Sequence, residues 1–187
     1  MSSLFIEPIA SEEVLRESAT CEELNEVARF TAEHRRREVL AWRSIVRRKM
    51  GESCKIGHDE WGAPIVDTPN RYIGVSHSKE FVAVIISDEP CAVDIESPDR
   101  NFEGVAERYM SNEERKLCCE DGWPAKVWCA KEALYKLYRK GGIDFIEDIK
   151  ISGYDSDSQI IEASLPDRKH IVVRIEHGDG YIVASIG

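Results

Sequence analysis

Residues 72–96 read YIGVSHSKEFVAVIISDEPCAVDIE, three short apolar runs broken at Ser78-Lys79-Glu80 and at Pro90. β-branched and aromatic residues fill Tyr72 to His77 and Phe81 to Ser87, and the three-residue link between them predicts a hairpin. The run from Cys91 to Glu96 predicts a third strand, in which Ala92, Asp94 and Glu96 share one face by the two-residue period. Ser97-Pro98-Asp99-Arg100-Asn101 ends it.

Upstream, residues 22 to about 50 read as one helix, with Val39, Trp42, Val46 and Met50 at helical spacing and Gly51 as a stop. Gly57 to Pro69 reads as a loop. Downstream, a helix is predicted over Phe102 to Tyr109, and Ser111-Asn112-Glu113-Glu114 carries an N-cap signal. Val127, Leu134, Leu137 and Tyr138 predict a helix over 125–139 that closes at Gly141 and Gly142. Four β-rich runs follow, near 145–151, 159–165, 170–176 and 181–186. Helix, strands, helices, strands is the order of an α+β protein. We divide it into lobes at 1–97 and 98–187.

The chain has 187 residues, 42% hydrophobic and 32% charged, enough for about one domain with a buried core and too apolar for a disordered chain. No apolar run approaches the ~18 residues of a membrane span, and Met1 to Ile6 lacks the basic start and apolar core of a signal peptide. A cytoplasmic protein is the expectation. The six cysteines (21, 54, 91, 118, 119, 129) form no C-x-x-C pair and no zinc spacing with histidine, so they read as reduced thiols that mostly fill the core. The net charge of −10 argues against a general hold on nucleic acid or an anionic membrane. Residues 28–50 invert that balance, with eight basic residues against Glu33 and Glu38. Arg36, Arg43 and Arg47, at i, i+7 and i+11, make a stripe that reads either as a solvated helix face or as an anion site.

Three elements carry chemistry. Asp94 and Glu96 repel one another on one strand face unless a proton or cation lies between them, and a hard, oxygen-preferring ion such as Mg2+ meets that need. Glu132 and Lys136, at i and i+4, project from one helix face, either as a stabilising ion pair or as a third carboxylate beside a phosphate-holding ammonium. Ser76 and His77 end a strand with groups able to hydrogen-bond a phosphate.

Taken in order, the basic helix, RYIGVSHSKEFVAVIIS, AVDIE and WCAKEALYKLYRKGGIDF resemble the 4'-phosphopantetheinyl transferases over about residues 33–186. The likeness is to the longer, surfactin-synthetase-activating kind. That kind implies two similar α+β lobes related by a pseudo-twofold axis, a monomer, and an active site between the halves. It also implies Mg2+-dependent transfer of the phosphopantetheine arm of coenzyme A to a serine of an apo acyl or peptidyl carrier protein, releasing adenosine 3',5'-bisphosphate. Asp94, Glu96 and Glu132 would then be metal ligands, with Glu132 also the base for the carrier serine. Lys136 and Lys131 would hold the pyrophosphate. Ser76, His77, Arg36 and Arg43 would bind the 3'-phosphate end of coenzyme A.

The chain departs from the family pattern twice. Gly62-Ala63-Pro64 stands where relatives carry Gly-Lys-Pro, and Ala92 stands where they carry glycine two residues before the strand aspartate. Two alternatives remain on the sequence, a pseudoenzyme that docks carrier proteins without transfer and a Mg2+-dependent phosphohydrolase.

Overall fold

In the computed structural model, which describes residues 1–187, the chain opens with strand β1 (Ser3–Pro8) and helices α1 (Glu12–Glu17), α2 (Cys21–Val27) and α3 (Glu33–Met50). A small hairpin follows, β2 (Ile56–His58) and β3 (Pro64–Val66), then β4 (Tyr72–His77), β5 (Phe81–Ser87) and β6 (Ala92–Glu96). The second half holds a 3-10 turn at Glu103–Arg108, α4 (Asn112–Arg115), α5 (Trp123–Tyr138), β7 (Lys150–Asp155), β8 (Ile160–Leu165), β9 (Arg168–Gly178) and β10 (Tyr181–Ile186). The architecture is α+β, as the element order predicts. No helix is long and apolar enough to cross a membrane.

The larger strands form two antiparallel sheets, ordered β1-β5-β4 and β6-β10-β9-β8-β7. Each is covered by one long helix. Leu40, Trp42, Ile45 and Val46 of α3 pack on Ile73, Val82 and Val84 of the first sheet, and Val127, Ala130 and Leu134 of α5 pack on Ile161, Val173 and Ile182 of the second. A third cluster, including Ala83, Ile85, Val93 and Val183, joins the sheets through β5, β6 and β10.

Several expectations change. The Asp-x-Glu strand, β6, is hydrogen-bonded to β10 and belongs to the second sheet, whereas division at 97/98 puts it in the first lobe. The helix expected over 22–50 is two helices: a Thr20–Glu23 capping box starts α2, and Arg36 donates to the carbonyls of Phe30 and Thr31 in the break before α3. Residues 57–69 contain strands, because Asp59 Oδ1 accepts from the amides of Trp61 and Ala63 and tightens the β2–β3 turn. The 102–109 helix is a 3-10 turn. The 145–151 strand begins only at Lys150, since Asp144 Oδ1 holds the amides of Ile146 and Glu147 in a turn. All six cysteines are free, but only Cys91 and Cys129 are buried.

Strands β4 and β6 lie in different sheets yet pack closely. Gly74 faces Ala92, and two residues further along each strand Ser76 Oγ donates to Asp94 Oδ1 at 2.9 Å. The equal step means that the two strands run side by side in the same direction. A Cβ at position 74 would stand 2.9 Å from Ile85 Cγ2 and 3.0 Å from the Ala92 Cα. The absence of a side chain at position 74 thus lets the backbone of β6 approach β4 this closely. Gly74→Val should overpack this junction and cost about 1–3 kcal/mol, read as a lower urea midpoint; an unchanged midpoint would show that the strands separate freely.

Candidate active site

Between the sheets lies a cleft of about 550 Å³, walled by α3, the end of β4, β6 and α5. Its centre is a hydrogen-bonded set drawn from three elements. Lys136 Nζ donates to Asp94 Oδ1 at 2.7 Å, to Ser76 Oγ at 2.8 Å and to the Val93 carbonyl at 3.2 Å. The Ser76 hydroxyl in turn donates to Asp94. Asp94 is only 4% exposed, and its second oxygen, Oδ2, is buried with no partner. Its neighbour on the strand face, Glu96, accepts at Oε1 from Trp128 Nε1 and from Arg100 Nη1, each at 2.6 Å. The Arg100 guanidinium also lies over the Trp128 ring, 4.8 Å from its centroid.

Glu132 stands one turn before Lys136 on α5 and lines the same cleft. Burial, and then the charge of Asp94, pushes its carboxyl above the ordinary range. Glu96 is raised for the same two reasons in the same order. Oxygen donors that resist ionisation, beside a buried carboxylate oxygen with nothing bonded to it, suit a hard divalent cation. In the conformation described, no three His, Cys, Asp or Glu side chains stand close enough to hold an ion between them.

The cleft therefore gathers Ser76, His77, Asp94, Glu96, Glu132 and Lys136. It does not gather Arg36, Arg43 or Lys131. Arg36 makes a two-pronged bond to Glu12 besides its two carbonyl contacts. Arg43 pairs with Glu26 at 2.7 Å and lies over the Trp42 ring. Lys131 is fully buried and donates to Glu114 and to the Phe145 carbonyl, away from the cleft that Glu132 lines. Each is held by an internal partner and is not available to an incoming phosphate in this arrangement.

Sequence reading passed over Arg35, Glu38, Arg100 and Trp128, all of which line the cleft. A signal for Arg35 existed: with Val39 and Trp42 it falls at i, i+4 and i+7, the inward stripe, whereas Arg36 lies one residue, or about 100°, further round.

Comparison with known proteins bears on the same residues. A model of the 4'-phosphopantetheinyl transferase superfamily matches residues 90–185, which includes β6, α5 and all the strands after it. The 4'-phosphopantetheinyl transferase ffp of Bacillus subtilis is 33% identical over 89 residues, 44% of this chain and 40% of that protein. The chain thus matches about two fifths of the length of that curated relative.

Two outcomes follow from the electrostatics. Glu114 serves Lys131 and the amides of Ser111 and Ile151 together, so Lys131→Met leaves a buried carboxylate without its cation. The loss should be about 3–5 kcal/mol in urea denaturation; near-native stability would refute the structural role. Glu132 gives a pH signature in metal-free buffer. Its folded pKa is raised, so the folded state holds the proton to higher pH than the unfolded chain does, and stability falls as pH rises from the unfolded value through the folded one. Glu132→Gln cannot ionise, so its stability relative to wild type should improve between pH 4 and pH 7; a constant difference across that range would remove the burial argument.

Proposed function

This chain belongs to the 4'-phosphopantetheinyl transferase superfamily, and we propose that it moves the phosphopantetheine arm of coenzyme A onto a serine of an apo acyl or peptidyl carrier protein, releasing adenosine 3',5'-bisphosphate. The observation that carries this reading is the set Ser76–Asp94–Lys136 with Glu132 one turn away, in a cleft shared by both sheets. A buried acid, a fixed ammonium and a carboxylate of raised pKa lining one cleft support a reading in which a phosphoanhydride enters there.

Asp94, Glu96 and Glu132 are the residues that would hold Mg2+, with Asp94 Oδ2 as the oxygen awaiting a partner. When bound, the ion supplies neutralisation of charge on the pyrophosphate. The chain's own groups have distinct tasks. Glu132 takes the proton of the carrier serine as that oxygen bonds to phosphorus and the P–O bond to the nucleotide breaks. Lys136 turns from Asp94 toward the phosphates and stabilises the departing oxygen. Ser76 keeps a hydrogen bond on Asp94 while Lys136 is engaged elsewhere. Trp128 and Arg100 hold Glu96 in place. In this reading the protein acts as a cytoplasmic monomer that produces holo carrier protein for fatty acid, polyketide or peptide synthesis.

The test is to incubate the protein with Mg2+, coenzyme A and an apo acyl carrier protein and to follow the intact mass of the carrier. Addition of the phosphopantetheine group to its serine is expected, and its absence with several carriers overturns the assignment. Lys136→Ala should weaken coenzyme A binding and slow transfer together, each by about tenfold or more, the scale of a lost hydrogen bond to a charged group. Unchanged affinity and rate would reduce Lys136 to a structural partner of Asp94.

A further inference from the structure

Helix α3 brings Arg35 and Glu38 to the cleft three residues apart on one face, where β4 ends in His77. The three side chains close a ring. Arg35 Nη1 donates to Glu38 Oε2 at 2.9 Å and reaches His77 Nε2 at 3.2 Å, while His77 Nδ1 stands 3.3 Å from Glu38 Oε1. A guanidinium can only donate, so His77 Nε2 is the accepting nitrogen and the proton of the neutral ring sits on Nδ1, facing Glu38. Arg35 Nη1 thus bridges Glu38 and His77, and His77 Nδ1 lies within ion-pair distance of the other Glu38 oxygen. Glu38 is the covered member, its side chain 12% exposed, whereas the Arg35 side chain is 49% exposed and can swing out.

A phosphate bound at this end needs Arg35 and an N–H of His77. Glu38 already holds both groups, and its place in the cleft wall keeps it there when Arg35 moves. An arriving dianion meets a fixed, poorly solvated carboxylate, which repels it. A hydroxyl at the same point meets a hydrogen-bond acceptor instead. Arg36 and Arg43 do not offset the repulsion, because they are bound to Glu12 and Glu26, position 63 is alanine, and the cleft's Lys136 and Arg100 are paired with Asp94 and Glu96.

We infer that Glu38 is a specificity-determining residue for the donor nucleotide: its carboxylate competes internally for Arg35 and His77, weakens the hold on a terminal phosphate, and lets a donor ending in a ribose hydroxyl compete. The inference rests on the nucleotide-donor reading above. It is tested without carrier protein, by calorimetric binding of adenosine 3',5'-bisphosphate and of adenosine 5'-phosphate to wild type and to Glu38→Gln. The substitution keeps the shape and removes the charge, so the preference for the bisphosphate should widen by about fivefold or more, with the 5'-phosphate bound no more tightly than before. Binding of both nucleotides with an unchanged ratio overturns the inference and leaves the transfer reading standing. Binding of neither by wild type overturns both. Should Glu38→Gln fail to fold, the wild type decides alone by nitrogen-15 NMR of His77. Saturating bisphosphate, and not the 5'-phosphate, should put a proton on Nε2 as the ring opens; a ring that keeps Nε2 bare overturns the inference.

Discussion

A carboxylate taken from water costs several kcal/mol unless partners replace its hydration, and Asp94 is the carboxylate on which this molecule's two halves converge. One partner, Ser76, belongs to the first sheet; the other, Lys136, belongs to the helix that covers the second. The bond across the junction is only as short as the strands allow, and Gly74 against Ala92 sets that distance. The apolar cluster of β5, β6 and β10 does the bulk packing nearby. Burial brings the sheets together without direction, while the Asp94 set fixes how they meet. The same set leaves one oxygen unsatisfied, so the constraint that orders the junction also creates its unfilled valence.

The charge segregation of the sequence has a structural outlet that differs from the anion site it suggested. Arg36, Arg43, Arg47 and Arg48 pair with Glu12, Glu26, Glu23 and Glu7, and Arg37 donates to the carbonyls of Ile9 and Ala10. Each partner comes from β1, α1, α2 or the turn between β1 and α1. The basic run is thus the fastening of residues 7–26 onto α3. Arg47 and Glu23 are both almost fully covered, so breaking that pair would leave a buried charge. Of the α3 arginines only Arg35 escapes this use and faces the cleft.

The hairpin at 72–87, the Asp94/Glu96 face and the Glu132/Lys136 turn were legible because they obey local periods of two and of about four residues. The residues that share the cleft could be named from those periods and from family likeness. Partner choice could not. Arg36 and Arg43 have the same local signature whether they face a phosphate or a glutamate seventeen to twenty-four residues away, and the decision lies in how α1 and α2 fold back. The lysine of the Lys131-Glu132 pair was likewise read as facing phosphate. Adjacent helical residues diverge by about 100°, and its actual partner, Glu114, sits on a four-residue helix whose packing no local pattern announces. The sheet membership of β6 was hidden for the same reason, since its partner strand is the last in the chain.

The balance of the cleft constrains what can enter it. Three acids of its walls are each paired with a cation of the cleft: Glu38 with Arg35, Asp94 with Lys136, and Glu96 with Arg100. A bare anion gains a cation at each step and meets an acid beside it, and a bare cation meets the reverse. A ligand bearing both signs, spaced to displace each internal partner in turn, loses least. On the proposed function, a nucleotide pyrophosphate accompanied by a divalent ion would have that character: its oxygens would take the place of Asp94 beside Lys136, and Asp94 would be among the residues that hold the ion. Such an exchange would keep Asp94 and Lys136 compensated at the moment of binding, which neither component would achieve alone. On the proposed function the internal ion pairs would be the resting form of the contacts made to substrate, and Glu38, paired with Arg35 and His77, would stand outside the exchange at Asp94.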